Sequence, residues 1–133
     1  MSESIKLTTT FSVKPKVIYN AWLNGKEHTA MTGGKATANA KVGSSFTAWD
    51  KYIKGKNLEL VKNKRILQSW RSSEFSNDSL SSFLLIKLDE TKNGTKLTLI
   101  HSEIPDGQGK SYKSGWVEHY FNPMKEYFGK KKR

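Results

Sequence analysis

The sequence predicts an α+β fold, a curved antiparallel sheet of six to seven strands wrapped around a long C-terminal helix, with two short helices after the first strand. Two patterns carry this expectation. From Lys110 to Phe128 the aromatic residues recur at helical spacing: Tyr112, Trp116, Tyr120, Pro123 and Tyr127 form one stripe, and Val117, Phe121, Met124 and Phe128 the stripe beside it. From Ala36 to Ser102 the hydrophobic period is instead two, interrupted by turn formers, as in a strand meander. An apolar helix face this wide needs a broad concave partner, and a curved sheet supplies one.

The elements follow in order. Ile5 to Val13 alternates apolar and polar residues and is rich in threonine, which suits a half-buried strand. Pro15 suits a first helical turn, with Ser12 a candidate cap. Val17, Ile18, Ala21 and Trp22 then share one face until Asn24-Gly25 ends that helix. A second short helix is predicted from Lys26 to Met31, stopped by Gly33-Gly34. Strands are predicted at 36–41, 45–54, 58–61, 65–72, 81–90 and 95–102, with Asn93-Gly94 the strongest hairpin signal. Glu103 to Gly109 reads as the loop into the long helix, which Pro123 should bend.

A length of 133 residues fits one domain, predicted over 1–129 with a basic C-terminal tail at 130–133. With 35% hydrophobic residues the chain reads as a folded globule. The N-terminal residues do not resemble a secretory signal and no apolar run is long enough to span a membrane, so the expected location is cytoplasmic. The absence of cysteine excludes disulfides, thiolate catalysis and cysteine-ligated zinc. The formal net charge of +11 attracts acidic partners. The lysines are scattered, however, and the one dense run is Lys130 to Arg133, so no nucleic-acid partner is expected.

If the helix packs on the sheet, the predicted pocket is lined by Trp116, Tyr120 and Met124 from the helix and by Phe46, Phe83, Leu85, Leu97 and Leu99 from the strands. Trp22 and Met31 complete it from the two short helices. The competing expectation is that these side chains fill the interior. His101 shares the strand parity of Leu97 and Leu99, and so does Glu103, whereas His28 and His119 are expected on the surface. A buried, hydrogen-bonded histidine is the commoner role for His101 than a catalytic base, since no orienting carboxylate is visible. The facing of Trp70 is undecided, because neither parity of its strand is plainly apolar. No histidine has metal-ligand spacing, and neither a metal nor a cofactor is expected. Gly109-Lys110-Ser111 is no phosphate loop, because Ile104 stands where that motif needs glycine.

A set of segments in order resembles the activator of heat-shock-protein-90 ATPase homology family, a branch of the START-like (SRPBCC) superfamily. They are Ala21-Trp22, the run from Glu27 to Ala36, Val42-Gly43 with Phe46, Asp50 with Tyr52-Ile53, and Gly55 to Leu60. Arg65-Ile66, Gln68 to Arg71, Gly94 to Leu97, His101-Ser102, Ile104-Pro105, Gly115-Trp116, His119 to Phe121 and Pro123-Met124 continue it. The resemblance covers Ile5 to Phe128 and implies the helix-grip fold. That superfamily holds lipid and sterol carriers, plant allergens that bind aromatic ligands, polyketide cyclases and a co-chaperone module. The first functional expectation is a non-catalytic protein that holds a small hydrophobic or aromatic ligand between sheet and helix. The alternative is a module that interacts with a heat-shock chaperone through its lysines. A third is a cyclase-like enzyme with His101 as its acid or base.

Overall fold

The computed structural model describes residues 2–131. One six-stranded antiparallel sheet has the order β1-β6-β5-β4-β3-β2. β1 (Ser2–Phe11) and β6 (Gly94–Pro105) form one edge, and β2 (Ser45–Ala48) the other. Between β1 and β2 the chain passes through α1 (Pro15–Trp22) and α2 (Gly25–Thr32), which cross from one edge of the sheet to the other. β3 (Ile53–Val61), β4 (Arg65–Ser72) and β5 (Ser82–Thr91) complete the meander, and the chain ends in the long helix that the curved sheet grips. Of the basic tail expected at 130–133, Lys132 and Arg133 lie outside the described residues, and helix continues through Lys131. No helix among the described residues is long and apolar enough to cross a membrane.

Several local expectations are corrected. Residues 36–41 make no strand, only a single bridge between Thr37 and Thr47. The strand expected at 45–54 breaks because Trp49, Asp50 and Lys51 have φ of 50°, 55° and 72°, and a left-handed run cannot continue a ladder. Ser12 does not cap α1, whose cap position is Lys14 with no side-chain bond. Asn24, expected to end one helix, also begins the next: its side chain accepts from the Glu27 N–H at 2.9 Å. Gly33, at φ 87°, then closes α2 as expected.

The long helix is α3 (Gly109–Trp116), a π turn (Val117–Phe121) and α4 (Asn122–Lys131) in continuous right-handed backbone. Its first turn is capped from a distance. Glu3 accepts from the Gly109 N–H at 2.7 Å and from the Gly107 N–H at 3.0 Å, and these two bonds lower its pKa. At the π turn the Asn122 N–H reaches back five residues to the Val117 carbonyl, and Pro123 has no N–H to offer His119. The wider turn rotates the helix face. Val117, expected on the apolar stripe, is 37% exposed, while the adjacent Tyr120 and Phe121 are both buried.

Strand facing is set by register. Leu84 lies opposite His101, Ile86 opposite Leu99 and Leu88 opposite Leu97, so the even-numbered residues of β5 enter the core. Phe83 (41% exposed) and Leu85 therefore sit on the outer face, Leu85 aligned with Leu67 and Ile100, and neither can line an interior pocket. A bulge opposite Ser4, with Glu103 at φ 56°, shifts the phase of β6, so Ile104 is buried and Glu103 is exposed.

Gly55 sits directly opposite Phe46. A Cβ there would lie 1.9 Å from the Ser69 carbonyl and 2.6 Å from the Phe46 ring, whereas one at Gly129 would meet nothing within 4 Å. Urea titration should show Gly55→Ala destabilised by about 2 kcal/mol or more through overpacking. Gly129→Ala should be neutral or stabilised by up to ~1 kcal/mol, as for glycine replaced in a helix. Equal midpoints for the two variants would refute this packing.

Candidate functional site: an aromatic groove beside the C-terminal helix

The interior between sheet and helix is filled. Leu97, Leu99, His101 and Met124 are fully buried, and Trp22, Met31 and Phe46 nearly so. These seven sequence-predicted site residues are core. An aromatic-walled hollow of about 430 Å³ opens instead beside α3, between that helix, the left-handed turn at Trp49 and the adjoining parts of β3 and β4. Of the predicted residues it includes Trp116 and Tyr120. Its remaining walls are Trp49, Tyr52, Ile53, Trp70 and Tyr112, with Ser111, Gly115 and His119 from the helix. Tyr112 was visible in the helical stripe. Trp70, whose facing the sequence left open, is buried, and its ring centroid lies 5.0 Å from that of Tyr112 and 5.9 Å from that of Trp116.

The floor of the groove is anchored by two histidines with defined tautomers. Ser82 Oγ gives its proton to the Trp70 carbonyl at 2.7 Å, so it can only accept from His101 Nε2 at 2.8 Å. His101 Nδ1 is then bare, and accepts from the Trp116 indole N–H at 3.1 Å. Protonating Nδ1 would set two donors against each other inside apolar surroundings, and burial lowers the His101 pKa to about 3. A histidine so held is a bridge between sheet and helix, with no lone pair left for a substrate. His28, expected on the surface, is 3% exposed: its position on α2 turns it toward the helix stripe. Its Nδ1–H donates to the Trp22 carbonyl at 2.9 Å, and its Nε2 accepts from the Tyr120 hydroxyl at 2.8 Å. Burial lowers the His28 pKa and raises that of Tyr120. A third buried chain runs from the Trp22 indole through Gln68 and Asn57 to the carbonyls of Asn39 and Lys41.

The mouth is built differently. Trp49 packs so closely over Gly34 that a Cβ there would come within 2.3 Å of the indole ring. On its other side Trp49 meets the exposed His119 edge-on at 5.4 Å. The Trp49 indole N–H is buried without a partner among the described residues, and the left-handed run that holds the ring is strained. The groove therefore offers flat apolar faces and an open side. Among the described residues no cluster of His, Asp or Glu is placed to hold a metal.

The histidines fix a pH dependence. Because the folded pKa of each lies below the unfolded value near 6.5, the unfolded chain binds more protons at acid pH. Stability is thus full above pH ~6.5 and falls as pH drops toward about 3, by up to about 1.4 kcal/mol per pH unit for His101. Chemical denaturation between pH 7 and 4 should show a shallower slope for His101→Gln than for wild type. Parallel slopes would refute the buried neutral histidine.

Comparison with known proteins agrees with this architecture. The family model described as Activator of Hsp90 ATPase homolog 1-like protein matches residues 12–129. The human activator of 90 kDa heat shock protein ATPase homolog 1 is 29% identical over 126 residues, covering 94% of this chain but 37% of the human protein. The Dictyostelium discoideum homologue is 23% identical, covering 96% and 33% respectively. This chain thus spans little more than a third of the curated relatives it matches. A solved HSP90 activator from Plasmodium falciparum superposes with TM-score 0.86 at 27% identity, over 95% of this chain and 96% of that one. The Aha1 dimer from Colwellia psychrerythraea shares the fold at TM-score 0.79 and 15% identity, over 95% and 96%. With the family model spanning both short helices, the meander and the gripped helix, the chain belongs to the Activator of Hsp90 ATPase homolog 1-like family.

Proposed function

We propose that this chain binds an Hsp90-class chaperone and acts on its ATPase as an activator, not as a catalyst of its own reaction. The observation that supports this most is the end-to-end likeness to a solved chain described as an HSP90 activator, which matches over nearly the full length of both. Its geometry is compatible: the core is packed, the best-placed histidine is committed to structural bonds, and a surface carrying a net charge of +11 suits an acidic partner. Calorimetric titration into purified Hsp90 should give saturable binding that weakens at least about fivefold between 50 and 300 mM salt, with a rise in chaperone ATPase rate. No binding at either salt concentration would refute the proposal.

A second reading keeps a small planar apolar ligand, now placed in the groove. It is favoured by the hollow of about 430 Å³, walled by the flat rings of Trp49, Tyr112 and Trp116. Thermal-shift titration with flavonoids, sterols and fatty acids should then show a saturable rise, about 2.7 kcal/mol at a hundredfold excess over Kd. Tyr52→Ala and His119→Ala, both at the exposed rim, should lose it. A flat response across the panel would remove this reading.

A further inference from the structure

A second hollow, about 570 Å³, lies where the start of α1 meets the β3–β4 turn and the outer half of β5. Read along the sequence its lysines are unremarkable singles, but the fold gathers Lys14, Lys16, Lys64, Arg65 and Lys87 around it, against two carboxylates, Asp89 and Glu90. Pro15 and the partly exposed Val61 supply it with apolar surface. The turn is pinned in place, since the Leu88 N–H donates to the Lys64 carbonyl at 2.8 Å and Asn63 adopts φ 63°. Asn63 Oδ1 and Arg65 Nε, from two of the lining residues, are buried without a hydrogen-bond partner among the described residues. Arg65 is held in position by Glu59 through its Nη2 at 2.9 Å. The first turn of α1 also carries no acidic residue to offset its positive end.

We propose that this hollow takes an acidic segment of a partner protein, with one apolar side chain seated against Val61 and its flanking carboxylates paired to Lys14, Lys16, Lys64 and Lys87. The identity of that partner as an Hsp90-class chaperone rests on the function proposed above, but the chemistry of the hollow does not. A peptide fits better than nucleic acid. The site is a compact concavity and not a track along the surface, and a phosphate backbone gains nothing from its apolar wall.

The test pairs two titrations at 150 mM salt. One uses purified Hsp90, the other a fluorescein-labelled probe peptide Glu-Asp-Asp-Leu-Glu-Asp with blocked ends. Lys64→Glu/Lys87→Glu should weaken probe binding at least tenfold, and the neutral pair Lys64→Gln/Lys87→Gln should weaken it about threefold or more, both with unchanged circular dichroism. Lys26→Glu/Lys41→Glu carries the same charge change on exposed lysines that line neither hollow, and should cost less than threefold. If Hsp90 fails to bind while the probe binds and is lost on reversal, the chaperone reading falls and the acidic-segment site stands. If both double reversals weaken the probe equally, binding is a diffuse effect of net charge and the site is refuted. No measurable probe binding refutes it too, as does a labelled single-stranded DNA of equal charge that binds more tightly and is lost on the same reversal.

Discussion

The seating of Trp116 against His101 is the constraint on which the rest of the fold turns. A helix with an aromatic face gains most of its stability by burial, but an indole brings a donor that must be satisfied once water is excluded. His101 supplies the acceptor only because Ser82, committed to the Trp70 carbonyl, holds it in one tautomer. Four residues from three strands and the helix are thereby fixed at a single register. A one-residue slip would cost the apolar burial and also leave an indole, an imidazole and a hydroxyl unpaired in a dry interior. The second histidine repeats the arrangement between α2 and Tyr120, so two successive residues of the aromatic stripe, Trp116 and Tyr120, are each tied by neutral imidazole.

The same closure displaces the open volume to the side. With Leu97, Leu99 and Met124 filling the space under the helix, the aromatic hollow is lined partly by core side chains, Ile53, Trp70, Trp116 and Tyr120, and partly by more exposed ones at its mouth. Trp49 is held there by a run of three left-handed residues, and the strain is compensated by packing over Gly34 and against His119. Rigid aromatic walls thus stand next to a strained turn at the mouth of the groove.

Charge is organised on a larger scale than the groove. The positive field favours encounter with an acidic partner whatever the detailed contact, because it acts over about a Debye length. Specific recognition needs charges gathered around a shape, and the end of the sheet near α1 provides that. The aromatic groove and the basic hollow are separate in lining residues, so one protein could engage a partner at two points of different chemistry.

Periodicity made the architecture legible, because the period-two meander and the aromatic helix stripe are local consequences of which side must be buried. The two short helices, the Asn93-Gly94 hairpin and the importance of Pro123 followed from the same local chemistry. The site was legible only as a stripe. Trp116 and Tyr120 were found because helical spacing exposes them, but Phe83 and Leu85 were assigned to the wrong face. The first half of β5 is apolar on both faces, whereas Lys87 and Asp89 farther along mark the odd-numbered face as the outer one, in agreement with the register with β6. Trp70 was ambiguous for the same reason, and His28 misplaced because its partner, Tyr120, lies 92 residues away. The bulge at Glu103 and the π turn each insert a residue that no period count anticipates. Composition and periodicity by themselves determined the layers, the order of elements and the sign of the charge. Tertiary structure alone decided the phase of β6 beyond its bulge, the tautomers of the buried histidines and the gathering of scattered lysines, because each depends on contacts between residues far apart in the chain.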